Sequence, residues 1–160
     1  MANQLENEEH MRQATKKALD GIEMGGGPFG ALITSPSGDV ISCCHNQVVS
    51  TCDPTAHAEI VAIRQACQLL NTHDLHGYTL YTTCEPCSMC LSAIYWARID
   101  TVFYGNTRDD AKSVEFDDTF IYDEVAKDPK DRSIHITQLS RDITIETFQK
   151  WQQKNDKVPY

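Results

Sequence analysis

Thr55-Ala56-His57-Ala58-Glu59 and Cys84-Glu85-Pro86-Cys87-Ser88-Met89-Cys90 are the two stretches on which the reading of the fold turns, because each opens a helix. Asp53 and Pro54 break the chain before the first, and apolar residues at helical spacing predict a helix over 56–70. A short apolar strand, 78–83, leads into the second, where Pro86 suits a first helical turn and the helix runs to about 97. Upstream, Met11, Ala14, Ala18, Leu19 and Ile22 predict an amphipathic helix over 6–24, stopped by Gly25-Gly26-Gly27-Pro28. Strands at 29–34 and 40–44 flank Ser35-Pro36-Ser37-Gly38 as a hairpin. Downstream come a strand at 101–104, a helix at 118–125, a strand at 135–139 and a helix at 144–155. A helix, a hairpin and then alternating strands and helices predict an α/β protein of three layers, α/β/α, around a central mixed five-stranded sheet. With no repeat, low-complexity tract or linker, 1–160 reads as a single domain.

Composition narrows what such a domain can do. Of 160 residues 41% are apolar and 23% charged, enough to bury a core without enough charge to stay disordered. Lys and Arg total 14 against 23 Asp and Glu, a formal net charge of −9. Such a surface repels phosphate backbones and weighs against nucleic acid as a partner. No run approaches the ~18–20 apolar residues of a membrane span, and MANQLENEEH has no signal-peptide character, so a cytoplasmic protein without membrane contact is expected. Seven cysteines, an odd and unclustered set, argue against a disulfide framework and for a metal or a reactive thiol.

Cys87 and Cys90 are three apart, so at a helix start they face one side. The helix dipole and unpaired N–H groups there favour thiolates. With His57 at the start of the other helix, one imidazole and two thiolates can meet at a single ion. That donor set selects zinc, and three protein ligands leave a fourth position for water. Zinc with two thiolates and a neutral imidazole carries no net charge and acidifies water weakly, so Glu59, two residues past His57, has a task as the group that moves the proton. Two other readings of the same residues remain open. One is a closed structural site with Cys84, Cys87, Cys90 and His57 all on zinc, which leaves Glu59 idle; the other is a CxxC redox pair, though no thioredoxin-like pattern surrounds it.

The H-x-E…P-C-x-x-C pattern is the established signature of zinc nucleobase deaminases. The chain resembles the cytidine and deoxycytidylate deaminase superfamily, and within it the bacterial guanine deaminases. Pro28-Phe29-Gly30-Ala31, Asn46, Asp53 through Glu59, Cys84 through Cys87, Ala93 through Arg98, Phe116-Asp117-Asp118 and the closing Tyr160 carry the resemblance. It implies a cytidine deaminase-like fold, one zinc ion per chain on His57, Cys87 and Cys90, and Glu59 as proton shuttle. It further implies hydrolysis of guanine at C2 to xanthine and ammonia. Asn46 and the backbone of Ala58 would bond the ring, Phe29 would wall the pocket, and Asp118 and Tyr160 would meet the base from the far side. An aspartate suits an edge rich in N–H donors. The resemblance also implies a homodimer, with the C-terminal segment able to cross to the partner; Phe148 and Trp151 give that segment an apolar edge.

Each substrate residue has a plainer reading: Asn46 as a turn cap, Phe29 as core, Asp118 as a helix N-cap, Tyr160 as a loose terminus. Asp109, Asp110 and Asp117 read as solvated charges and Trp96 as core or interface. Of Cys43 and Cys44, neighbours on a strand, at most one looks inward. Competing functions are a tRNA-adenosine deaminase, a cytosine or aminotriazine deaminase on the same site, and a zinc-stabilised binding module without catalysis.

Overall fold

The computed structural model describes residues 4–160, which cluster into two compact units, one ending at Asp118 and the other Thr119–Tyr160. The first carries helix α1 (Gln4–Glu23), strands β1 (Gly30–Thr34) and β2 (Val40–His45), the short helix α2 (Val48–Thr51), helix α3 (Ala58–Leu70) and strand β3 (Thr79–Cys84). Helix α4 (Ser88–Trp96), strand β4 (Thr101–Asn106) and the short helix α5 (Arg108–Ser113) complete it.

The four strands form one mixed sheet in the order β2-β1-β3-β4. β1 runs antiparallel to β2 and to β3, whereas β3 and β4 are parallel. Strand alternation assigns the layers. Ala31 and Ile33 of β1 and Leu80 of β3 pack with Ala58, Ala62 and Ala66 of α3 and Ile94 of α4. Leu32 and Tyr81 turn to the other face and meet Ala14 of α1. Alanine at every fourth position lets α3 lie close to the sheet, and all three are fully buried.

On the opposite face the close approach falls at Gly30. A Cβ there would stand 2.2 Å from the carbonyl oxygen of Ala14. α3 ends where Asn71 enters the left-handed region and the amides of Asn71 and Thr72 return to Gln68 and Cys67, a Schellman closure. The chain crosses from β3 to the parallel β4 through α4, and both strands therefore deliver their carboxyl ends to one edge of the molecule.

The second unit consists of helix α6 (Thr119–Ala126), a 3₁₀ turn (Pro129–Asp131) and helix α7 (Arg141–Gln153). The expected strand at 135–139 is absent, so the sheet has four strands instead of five. Ile134 and Ile136 alternate as a strand requires, but the pattern specifies only a face. A strand also needs a ladder partner, and Ile134, Ile136 and Leu139 are all exposed. Three short elements, α2, α5 and the 3₁₀ turn, fall where none was expected. Pro86 is also displaced from its expected place: Cys87 is the N-cap of α4, so the proline lies before the cap and not in the first turn. Among the described residues no helix is long and apolar enough to cross a membrane.

Candidate metal centre and pocket

His57 is the N-cap of α3 and Cys87 the N-cap of α4, both with extended backbone. An N-cap side chain ordinarily turns back to accept an amide of its own helix. Neither does so here. Instead Cys87 Sγ lies 3.5 Å from His57 Nδ1, and Cys90 Sγ lies 3.5 Å from the same nitrogen. The three ligand atoms fall within 4.8 Å of one another. Zinc bonds of about 2.3 Å to sulfur and about 2.0–2.1 Å to nitrogen, at a tetrahedral angle, separate the two donors by about 3.5 Å, so the spacing fits that ion.

Electrostatics favours a cation at the same point. The Cys87 thiol is held down to about 4, chiefly by the hydrogen bond from Cys90 and then by His57, while the imidazole is raised chiefly by its bond with Cys87. Cys90 keeps its proton, pushed up by the bond it makes to Cys87 and by burial. The cluster sits at the positive ends of two helices, which favour thiolate on Cys87, and a divalent ion held by His57, Cys87 and Cys90 would favour the ionised form of both thiols.

Glu59 is almost wholly buried, 6% exposed, on the second residue of α3. Burial raises its carboxyl above the ordinary range. The Thr82 hydroxyl, on the middle strand of the site, lies 3.1 Å from Glu59 Oε1, and Cys90 Sγ is 3.5 Å from Oε2. A carboxylate so placed is fixed beside the cluster without belonging to it. That geometry suits proton transfer.

A cavity of about 430 Å³ opens over these groups at the carboxyl ends of β3 and β4. His57, Glu59 and Cys87 form its floor, and Phe29, Asn46 and Asp118 line its sides. Asn46 is buried and lines the cavity, and its Oδ1 accepts the Val48 amide at 3.2 Å in a turn that leads into α2, whose N-cap is Gln47. Phe29 packs on the core and, edge to face at 4.9 Å, on Phe116. Ala58 is fully buried; as first residue of α3 it carries an amide without a partner inside the helix. Asp118 faces the cavity paired to Arg108. Tyr160 belongs to the other unit and is 75% exposed there.

Arg108 is a lining residue that the sequence reading did not single out, and Phe116, which entered it only as part of the resemblance, also lines the cavity. Asp110 and Asp117 are exposed charges; Asp110 also completes a capping box with Thr107, and Asp117 pairs with Lys112 at 3.0 Å. Cys44 is buried in the core under α3 and Cys43, half-buried, packs against the core under α1, so alternation sends them to opposite faces but, with both faces covered, the expectation that at most one looks inward fails. Cys84 is buried with its thiol pushed up to about 11, chiefly by burial, and stands outside the three-residue cluster.

A soft-metal donor set left open on one side, with a buried carboxylate at its edge and an aromatic-walled cavity above it, is the equipment of a metal-dependent hydrolytic deaminase. Comparison with known proteins makes this specific. Residues 5–106 match the family model for the cytidine and deoxycytidylate deaminase zinc-binding region, and the chain belongs to that family. It is a zinc-dependent hydrolytic deaminase with one zinc ion per chain. The chain is 43% identical over 157 residues to guanine deaminase of Bacillus subtilis (strain 168), covering 98% of this chain and 100% of that protein. The X-ray structure of the B. subtilis guanine deaminase superposes with a TM-score of 0.93 at 42% identity, covering 99% of both chains. A guanine deaminase from Nitrosomonas europaea gives 0.67 at 31% identity, over 74% of this chain and 67% of that one. The tRNA-specific adenosine deaminase of Aquifex aeolicus (strain VF5) is 45% identical, but over 94 residues, 59% of this chain and 62% of that protein.

Proposed function

We propose that the chain converts free guanine and water to xanthine and ammonia, in the cytoplasm, as a step of purine breakdown or salvage. The observation that carries this is the extent of likeness. The guanine deaminase of B. subtilis matches through both units, whereas the tRNA deaminase matches over little more than half of the chain. A net charge of −9 supports a neutral base over a polyanion.

In this reading His57, Cys87 and Cys90 hold the zinc, which when bound supplies Lewis-acid activation of a water molecule. Glu59 accepts the proton given up by the water and delivers it to the departing 2-amino group. Its raised affinity for protons, set by burial, matches a group that must both take and give. Asn46 and the free amide of Ala58 bond the ring, and Phe29 stacks against it. Asp118 receives N–H donors, and Tyr160 closes the base in. The two units then act as one deaminase domain.

The enzyme is further proposed to be a homodimer whose C-terminal segment crosses to the partner. Two features support this: β4 is an edge strand exposing Phe103 and Tyr104, and Phe148 and Trp151 of α7 are uncovered. An ammonia-release panel over guanine, adenine, cytosine, their nucleosides, aminotriazines and folded tRNA tests the substrate. Preference for free guanine, abolished in Glu59→Ala with zinc still bound, is the expected result. Preference for tRNA, or full activity in Glu59→Ala, overturns it.

A further inference from the structure

Asp118 is held in the cavity by one cation. Arg108 Nε donates to Asp118 Oδ1 at 3.2 Å, with the two side chains 31% and 21% exposed. It is the one ion pair among the described residues in which both partners are less than a third exposed. Exposed pairs are loosely held, whereas an enclosed charge-assisted bond fixes orientation.

The backbone on either side of the pair is fixed as well. Arg108 is the first residue of α5, directly after β4, and Thr107 caps that helix with the Thr107 amide bonded to Asp110 Oδ2 at 2.8 Å and the Asp110 amide bonded to Thr107 Oγ1 at 3.2 Å. At the other end the amides of Glu115 and Phe116 return to Lys112 and Ala111. Glu115 takes φ 74° to make that turn, which a residue with a Cβ adopts only when the surroundings impose it. A six-residue helix closed at both ends thus delivers Arg108 from its start and Asp118 from just beyond its end to the same cavity wall.

Resting on the guanine reading above, we propose that Arg108 is a positioning residue that selects the substrate by its hydrogen-bond pattern. Its guanidinium engages Oδ1 of Asp118 and fixes the orientation of the carboxylate, so that Oδ2 is turned to the base and receives ring N–H donors. A base edge that offers an unprotonated nitrogen in that position meets an anion and is refused. Arg108 itself touches no reacting atom and acts through Asp118.

Steady-state kinetics of the zinc-loaded enzyme, on the base that the wild type turns over fastest, provides the test. Arg108→Ala should raise KM by about tenfold, the size of one charge-assisted bond, and change kcat by less than about threefold. Arg108→Lys should recover part of the loss, since a lysine restores the charge without the planar fork. The double variant Arg108→Ala/Asp118→Ala should bind no worse than Asp118→Ala alone, with zinc content and Tm of all variants near the wild type's. An unchanged KM in Arg108→Ala, or losses from Arg108 and Asp118 that add in full, overturns the proposal. Because these ratios are read on whichever base is preferred, a preference for a base other than guanine sinks the guanine reading and leaves the Arg108 test in force.

Discussion

The two compact units are made of comparable material and use it differently. In the unit that ends at Asp118 the apolar residues are spent on a core: Ala31, Ile33 and Leu80 of the sheet are wholly enclosed beneath the helices that cover it. In Thr119–Tyr160 neither α6 nor α7 buries a single residue, although Phe120, Ile121 and Val125 on one, and Ile143, Phe148 and Trp151 on the other, are apolar. What organises the second unit locally is polar. Arg132 donates to the carbonyls of Glu124 and Lys127, and Glu124 receives the amide and hydroxyl of Ser133. An amphipathic helix gains its stability from a surface to cover. The first unit contains that surface, and the second offers faces that want one. Damage to the first should therefore cost metal or fold, and damage to the second should cost turnover at nearly constant stability.

The largest effect belongs to the cluster. Cys87→Ala should reduce zinc from near one ion per chain to a small residue and abolish ammonia release, as metal analysis and a coupled assay would read. Zinc retained in that variant would bring Cys84 into the ligand set and turn an open site into a closed one.

Next in size is packing. Gly30→Ala places a methyl 2.2 Å from the Ala14 carbonyl and 2.9 Å from the Ala18 amide, both backbone atoms that cannot swing aside. Overpacking of this kind should lower stability by about 2–3 kcal/mol. For a chain of this length that is a fall in Tm of roughly 5–10 °C by thermal unfolding. An unchanged Tm would break the contrast, since it would mean that the first unit is no more tightly built than the second.

Removing Val158 to Tyr160 is the matching cut in the second unit. It should lower kcat/KM for guanine by about tenfold or more, the cost of a lost substrate hydrogen bond, and move Tm by no more than about 2 °C. Equal losses of Tm and turnover would show the tail to be a fold element, and full activity would leave Tyr160 without a role at the base.

This contrast also explains what could be read in the sequence. The sites of His57, Cys87 and Cys90 were legible because metal chemistry restricts residue type and helix geometry restricts spacing, so the two constraints coincide at three positions. The layers followed from element order, because a helix, a hairpin and then alternating strands and helices leave a mixed sheet with helices to cover both of its faces. The fifth strand was misread because alternation at Ile134 and Ile136 carries no information about a ladder partner. Arg108 escaped notice for a different reason. It reaches the cavity on a six-residue helix too short for periodicity, and the turn that brings Phe116 and Asp118 back is made by Glu115 in a conformation that glycine usually announces. The signal available there was Thr107 with Asp110 three residues on, a capping box.

The smallest effect sharpens the description of the second unit. Glu124 has its carboxyl lowered to about 2, chiefly by Lys127 and then by the amide and hydroxyl of Ser133. A carboxyl whose affinity for protons falls on folding stabilises the folded form where it is ionised. The contribution is therefore complete above the ordinary value of 4.5 and is lost as the pH falls from there toward 2. The Glu124 side chain is 20% exposed and that of Lys127 45%, so water reaches the pair through the lysine, salt screens the bond and its effect stays local. Glu124→Gln should speed hydrogen exchange at the Ser133 amide, relative to its intrinsic rate, by a factor of a few at neutral pH. The same acceleration should appear in the wild type below pH 4 and fade in high salt. Exchange at Ile33, in the middle of β1, should not respond to the substitution. A response there would mean that the polar bonds of 124–133 are felt by the core, and the division between a unit held by burial and a unit held by local hydrogen bonds would have to be given up.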